Sequence, residues 1–204
     1  MTLPTKEAVD REYQIFCLQT GHLFTGFARM ENLLTSALKL HLAFNLASPE
    51  DTPSMKLASA IYGSMRLSAS RDTIKRILAV EDAPKPLREF IEGVFAQLGH
   101  IEALRNKIAH QTVTPAHKDM GGFWQVSDLV NVRELSKLKV WAFDTKAIMN
   151  AAEDVVAAAD RLGSRPVNGQ LFSQLNDLSP PPWRYKPSQL KLVPHSKLRT
   201  PPGL

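Results

Sequence analysis

Cysteine is almost missing from this chain. Cys17 stands alone among 204 residues, so no internal disulfide can form and a disulfide-framed secreted domain is excluded. A reducing, cytoplasmic setting is expected, with Cys17 as a small buried core residue. Long apolar runs are missing too: nothing approaches the ~20 residues of a membrane-spanning helix, and no membrane partner is expected. The opening stretch "MTLPTKEAVDREYQ" carries charges where a signal peptide needs an apolar segment, so none is expected. Metal-ligand spacings of the CxxC or HExxH type are absent, as are a phosphate-cradling glycine loop and a GxSxG elbow. No metal and no cofactor is therefore expected. His22, His41, His100, His117 and His195 are scattered and receive no role, and no internal repeat is visible.

What is present is a globular composition, 44% hydrophobic and 22% charged, carrying a net charge of +5. That charge is unevenly spread. Residues 1–162 hold 19 Lys and Arg against 19 Asp and Glu, whereas residues 163–204 hold six basic residues and one acid, Asp177. The body is neutral overall, so bulk charge gives it no reason to bind nucleic acid.

Helical periodicity dominates the body. A first helix is predicted over Thr5–Leu46, with Leu23, Phe27, Met30, Leu34 and Ala37 on one stripe and Glu31 on its flank. "ASPEDTPS" ends it, and a second helix is predicted from Ser54, as N-cap, to about Asp82. "DAPKP" breaks the chain again, and Pro86 opens a third helix that ends at His110. Between Thr112 and Phe143 the pattern is irregular, and the alternation in "FWQVSDL" and "LKVWAF" permits a short hairpin. A last helix is predicted from Asp144, its N-cap, to Leu162, with Gly163 as stop. From Gly163 onward the chain holds eight of its 14 prolines and no periodicity. The expected architecture is an all-α antiparallel helical bundle over residues 1–162, followed by a disordered or extended basic, proline-rich tail over 163–204.

The third helix contains an anomaly. Its apolar stripe runs Leu87, Ile91, Val94, Leu98, Ile101, Ile108, and Arg105 falls inside that stripe. A guanidinium facing a core is costly unless it is paired. Cations near a helix C-terminus meet its negative dipole end, which accounts for Lys107 and His110 but not for Arg105. Asn106 and His110 share a face at i, i+4, and Glu102 continues that line one turn earlier. A long arginine and a histidine on the last turn can still converge on one phosphate-sized group.

"RNKIAH" resembles the Arg-x4-His motif of the HEPN (higher eukaryotes and prokaryotes nucleotide-binding) family, in which a polar residue commonly follows the arginine. Its place at the end of a long helix, and the early "GFARMENLLTSAL" with a glutamate among apolar residues, are similar to that family's bundles. The resemblance covers roughly residues 10–162. It implies a helical bundle that dimerises and, in many members, a metal-independent ribonuclease of a toxin–antitoxin or other defence system; other members have lost catalysis and serve as binding modules. On that model His110 moves protons as an RNA 2′-OH attacks the adjacent phosphate, since histidine as a residue type titrates near neutrality. Arg105 stabilises the charge developing on the phosphoryl oxygens, and Asn106 holds the imidazole or a phosphate oxygen. Glu31 and Glu102 are the carboxylates available to pair with Arg105, and for each an ordinary structural role stands equally open. Where one subgroup carries a modified tyrosine two residues after the histidine, this chain has Thr112, so that regulation is not expected.

In the tail, Trp183, Arg184, Tyr185 and Lys186 interleave aromatic and basic residues. Three readings stay open: contact with single-stranded RNA, docking to a partner protein, or a solvated tail without a fixed partner. The expected partners are thus RNA, a second copy in a homodimer, and an antitoxin or regulatory protein.

Overall fold

The computed structural model describes residues 6–46, 52–115, 124–127, 138–163 and 169–194. Along these residues run α1 (Lys6–Leu46), α2 (Thr52–Tyr62), α3 (Leu67–Val80), α4 (Lys85–His110), β1 (Thr112–Pro115), β2 (Trp124–Ser127), β3 (Val140–Phe143), α5 (Thr145–Leu162) and β4 (Lys191–Leu192). Helix predominates, but the all-α expectation is corrected by an antiparallel sheet in the order β1-β2-β3-β4. The permitted hairpin is real: Trp124 pairs with Phe143 and Val126 with Trp141. Among the described residues no strand exceeds four, too short for alternation to compete with helical stripes several turns long.

The segment expected as one helix from Ser54 to Asp82 is two, α2 and α3. Gly63 closes α2 with its N–H on Ser59 O at 2.8 Å, and any Cβ there would lie 2.4 Å from that same oxygen. Ser54 lies buried within α2 and is not its cap. At α5 the expected cap holds, with Asp144 Oδ1 accepting the Ala147 N–H at 2.8 Å. Cys17 is exposed on α1, against the expectation of a core position, because Phe16 beside it takes the inward direction.

The chain divides into two compact units. One comprises residues up to Phe24, His100–Glu153 and the chain from Arg184 onward. Its buried apolar residues include Phe16, Leu23, Ile101, Leu104, Ile108, Trp124, Val126, Phe143 and Ile148. The Trp124 indole donates to Thr145 Oγ1 at 2.9 Å, that hydroxyl reaches Glu12 Oε2 at 3.2 Å, and the ring lies 4.4 Å from Phe16. The other unit comprises Thr25–Gly99 and Asp154–Trp183. Its core is built from Met30, Leu34, Leu38, Ile74, Leu78, Ile91, Val94, Leu98, Val155 and Leu162. Each side chain of this size contributes about 1.5–3 kcal/mol by leaving water.

Of the two forms expected for the tail, disordered or extended, the first does not hold over residues 169–194, which are docked. Leu171 and Phe172 are buried in the second unit, and Tyr185 and Val193 in the first, where β4 extends the sheet beside β3. The segment lacks a period because it makes almost no secondary structure of its own. Single apolar side chains dock it instead. Residues 164–168 and 195–204 lie outside the described residues.

Candidate functional site

Arg105 enters the first unit from the last turns of α4, between Leu104 and Ile108, both buried. Its side chain is half-buried and has no carboxylate partner among the described residues. Instead the guanidinium carbon lies 4.9 Å from the centroid of the Phe24 ring of α1, a cation–aromatic contact. Nη1 donates to Asn106 Oδ1 at 2.9 Å, while Nε is buried without any acceptor. Leaving such a donor unmet costs about 1–3 kcal/mol. The guanidinium thus keeps both its full charge and part of its hydrogen-bonding capacity.

Lys107, two residues on, sets its ammonium 3.5 Å from the centroid of the half-buried Trp141 ring of β3. Asn106 and His110 are both exposed, and His110 is the last residue of α4. Arg105 and Lys107 place two cations on the final turns of the helix, beside Asn106 and His110, where the negative end of the helix dipole favours positive charge. Helical geometry sets Arg105 and His110 about 140° apart and about 7.5 Å along the axis. Asn106 Oδ1 accepts from Arg105; of the two partners expected for this residue, the imidazole or a phosphate oxygen, the first is not hydrogen-bonded to it.

The two candidate carboxylates go elsewhere. Glu31, in the second unit, accepts the Leu67 N–H on Oε1 at 3.1 Å, satisfying the first amide of α3 where Arg66 at the N-cap provides no side-chain cap. Glu102 is half-buried on α4 and is not the partner of Arg105. The expectation that Arg105 is compensated by an acid is corrected, because an aromatic ring does the holding. Phe24 and Trp141 were not legible as site residues, since nothing in their local sequence connects them to α4.

The four tail residues have separate surroundings. Trp183 is half-buried in the second unit. Arg184 pairs with Glu153 of α5, and its carbonyl accepts from Asn150 Nδ2 at 3.3 Å. Tyr185 is 1% exposed, and burial pushes its phenol up to about 12. A ring so enclosed is not presented for base stacking, which corrects that reading for this residue. Lys186 is exposed, with its N–H on Gln189 Oε1 at 2.8 Å.

Among the described residues no group of three or more His, Cys, Asp or Glu is placed to hold a metal ion, and no helix is long and apolar enough to cross a membrane. No family model matches the chain, and neither a curated protein nor a solved structure matches it.

Proposed function

We propose that this protein is a HEPN-like RNA-binding protein whose α4 terminus contacts phosphate and cleaves RNA by metal-independent transesterification. The observation that carries the reading is the state of Arg105: a half-buried cation held on an aromatic face, uncancelled by any carboxylate among the described residues. A structural arginine gains from a carboxylate, whereas a phosphate-binding one must keep its charge. With Lys107 beside it, the positive charge is local, so a body of zero net charge still offers a polyanion a place to bind.

In the cleavage step, His110 takes the proton of a ribose 2′-OH as that oxygen attacks the adjacent phosphorus. The bond to the 5′-oxygen breaks, this oxygen leaves with a proton, and a 2′,3′-cyclic phosphate remains. Arg105 stabilises the negative charge growing on the phosphoryl oxygens, where preorganised donors contribute most. Since the two residues diverge along one helix, a homodimer that opposes two α4 termini supplies the convergence. An antitoxin or regulatory protein that covers this end would hold the activity in check.

A second reading, a non-catalytic module that binds RNA or a partner protein, is favoured by the hydrogen bond that ties Asn106 to Arg105 instead of His110. Incubating the purified chain with RNA in EDTA separates the two. Cleavage that disappears in Arg105→Ala and His110→Ala supports the nuclease. Binding without cleavage, lost only in Arg105→Ala, selects the module. RNA neither bound nor cut refutes the nuclease and restricts the module to a partner protein.

A further inference from the structure

A guanidinium has five N–H donors around a rigid plane, and how that plane is held decides which edge it offers. At Arg105 the guanidinium carbon lies over the Phe24 ring, 4.9 Å from its centroid, and Asn106 ties the Nη1 corner. The edge formed by Nε and Nη2 is left over, and that edge matches two oxygens of a phosphate. Nε on this edge is buried and unmet, so the resting position is incompletely satisfied. An outward slide across the ring gives up little.

We propose that Phe24 is a positioning residue for Arg105: its ring orients the guanidinium so that the Nε–Nη2 edge takes a phosphodiester oxygen pair, and holds it without neutralising it. This rests on the reading of the α4 terminus as an RNA-contacting site. A carboxylate in place of the ring would fix the same side chain more firmly, but would occupy the donors that the phosphate needs. An aliphatic side chain would fill the space but offer no attraction to the cation.

The test uses the full chain and a short single-stranded RNA, with binding followed by fluorescence anisotropy and thermal melting recorded for every variant. Arg105→Ala is expected to weaken binding about tenfold or more. Phe24→Leu should weaken it about five- to tenfold, and Phe24→Trp, with the stronger cation-binding ring, should retain or tighten it. In the Phe24→Leu, Arg105→Ala double variant no further loss is expected beyond Arg105→Ala alone, because the ring acts through the arginine. The Arg105 Nε–H resonance of the RNA-free protein should lie upfield and lose that ring-current shift in Phe24→Leu. An unshifted resonance, a full additional loss in the double variant, or weaker binding by Phe24→Trp with unchanged melting overturns the positioning role. Undiminished binding by Arg105→Ala instead overturns the underlying functional reading, whatever the resonance shows.

Discussion

The two units treat their cations differently. In the second, Arg29 lies against Asp160 at 3.0 Å and Arg161 against Asp177 at 2.5 Å. In the first, at the end of α4, Arg105 and Lys107 lie on the rings of Phe24 and Trp141. The first unit does use a carboxylate where it fastens its C-terminal segment, Glu153 on Arg184. The aromatic arrangement is therefore particular to the α4 terminus and not a habit of the whole unit. A carboxylate cancels the field of the cation it holds, whereas an aromatic face holds a cation and leaves its charge available to an anion. On the proposed reading, the contrast separates cations that stabilise from one, Arg105, that is kept for an anion.

The largest effect is expected where the first unit relies on burial. Tyr185→Ala removes a fully enclosed ring and should cost about 3–5 kcal/mol in denaturant unfolding. Normal stability in that variant would restore the view of a separable tail. Next, Arg105→Ala should lower RNA cleavage by about 10²–10³-fold, the loss expected for one donor to a developing oxyanion. Its melting temperature should barely move, and Arg105→Leu should melt no lower, since neither change strands a carboxylate. Strong destabilisation in both would place Arg105 with the structural cations of the second unit.

The converse experiment lies in that unit. Asp154 is 2% exposed and accepts from Gln97 Nε2 at 2.8 Å. Asp154→Ala should cost about 1–3 kcal/mol by thermal melting and leave RNA binding unchanged. The smallest effect concerns Asp177, whose carboxyl is lowered from 3.8 to about 2 by hydrogen bonds from Ser179, then by Arg161. Because the folded state holds this proton less tightly than the unfolded chain, the contribution is complete above about pH 4 and is lost as pH falls through about 2. Asp177→Asn should flatten the acid limb of a stability–pH curve across that interval, and an unchanged curve would show the pair to be without consequence.

Much of the helical frame was legible. The ends of α4 and α5 follow from Pro86, His110, Asp144 and Gly163, each a residue whose backbone preference or side-chain chemistry acts within a turn of its own position. The split between α2 and α3 was missed because it depends on a close approach to the backbone at Gly63, visible only once Ser59 O is in place. β1 and β4 escaped for want of length, and the burial of Tyr185 because a single docked ring has no periodicity. At the site, Arg105 was recognisable as misplaced in an apolar stripe. What compensates it was not: the chain offered Glu31 and Glu102, while the partner is Phe24, brought to α4 by tertiary packing alone.

β4 is two residues long and joins the sheet through Trp141–Leu192 and Ala142–Lys191, followed by the Val193 N–H on Val140 O at 2.8 Å. With two residues in its ladder, β4 is held to the sheet by few bonds of its own. Its amides should take up deuterium within the earliest time points, while those of Val126 and Trp141, which face each other across β2 and β3, stay protonated far longer. The sheet accordingly exchanges in grades, early at this margin and late at its centre.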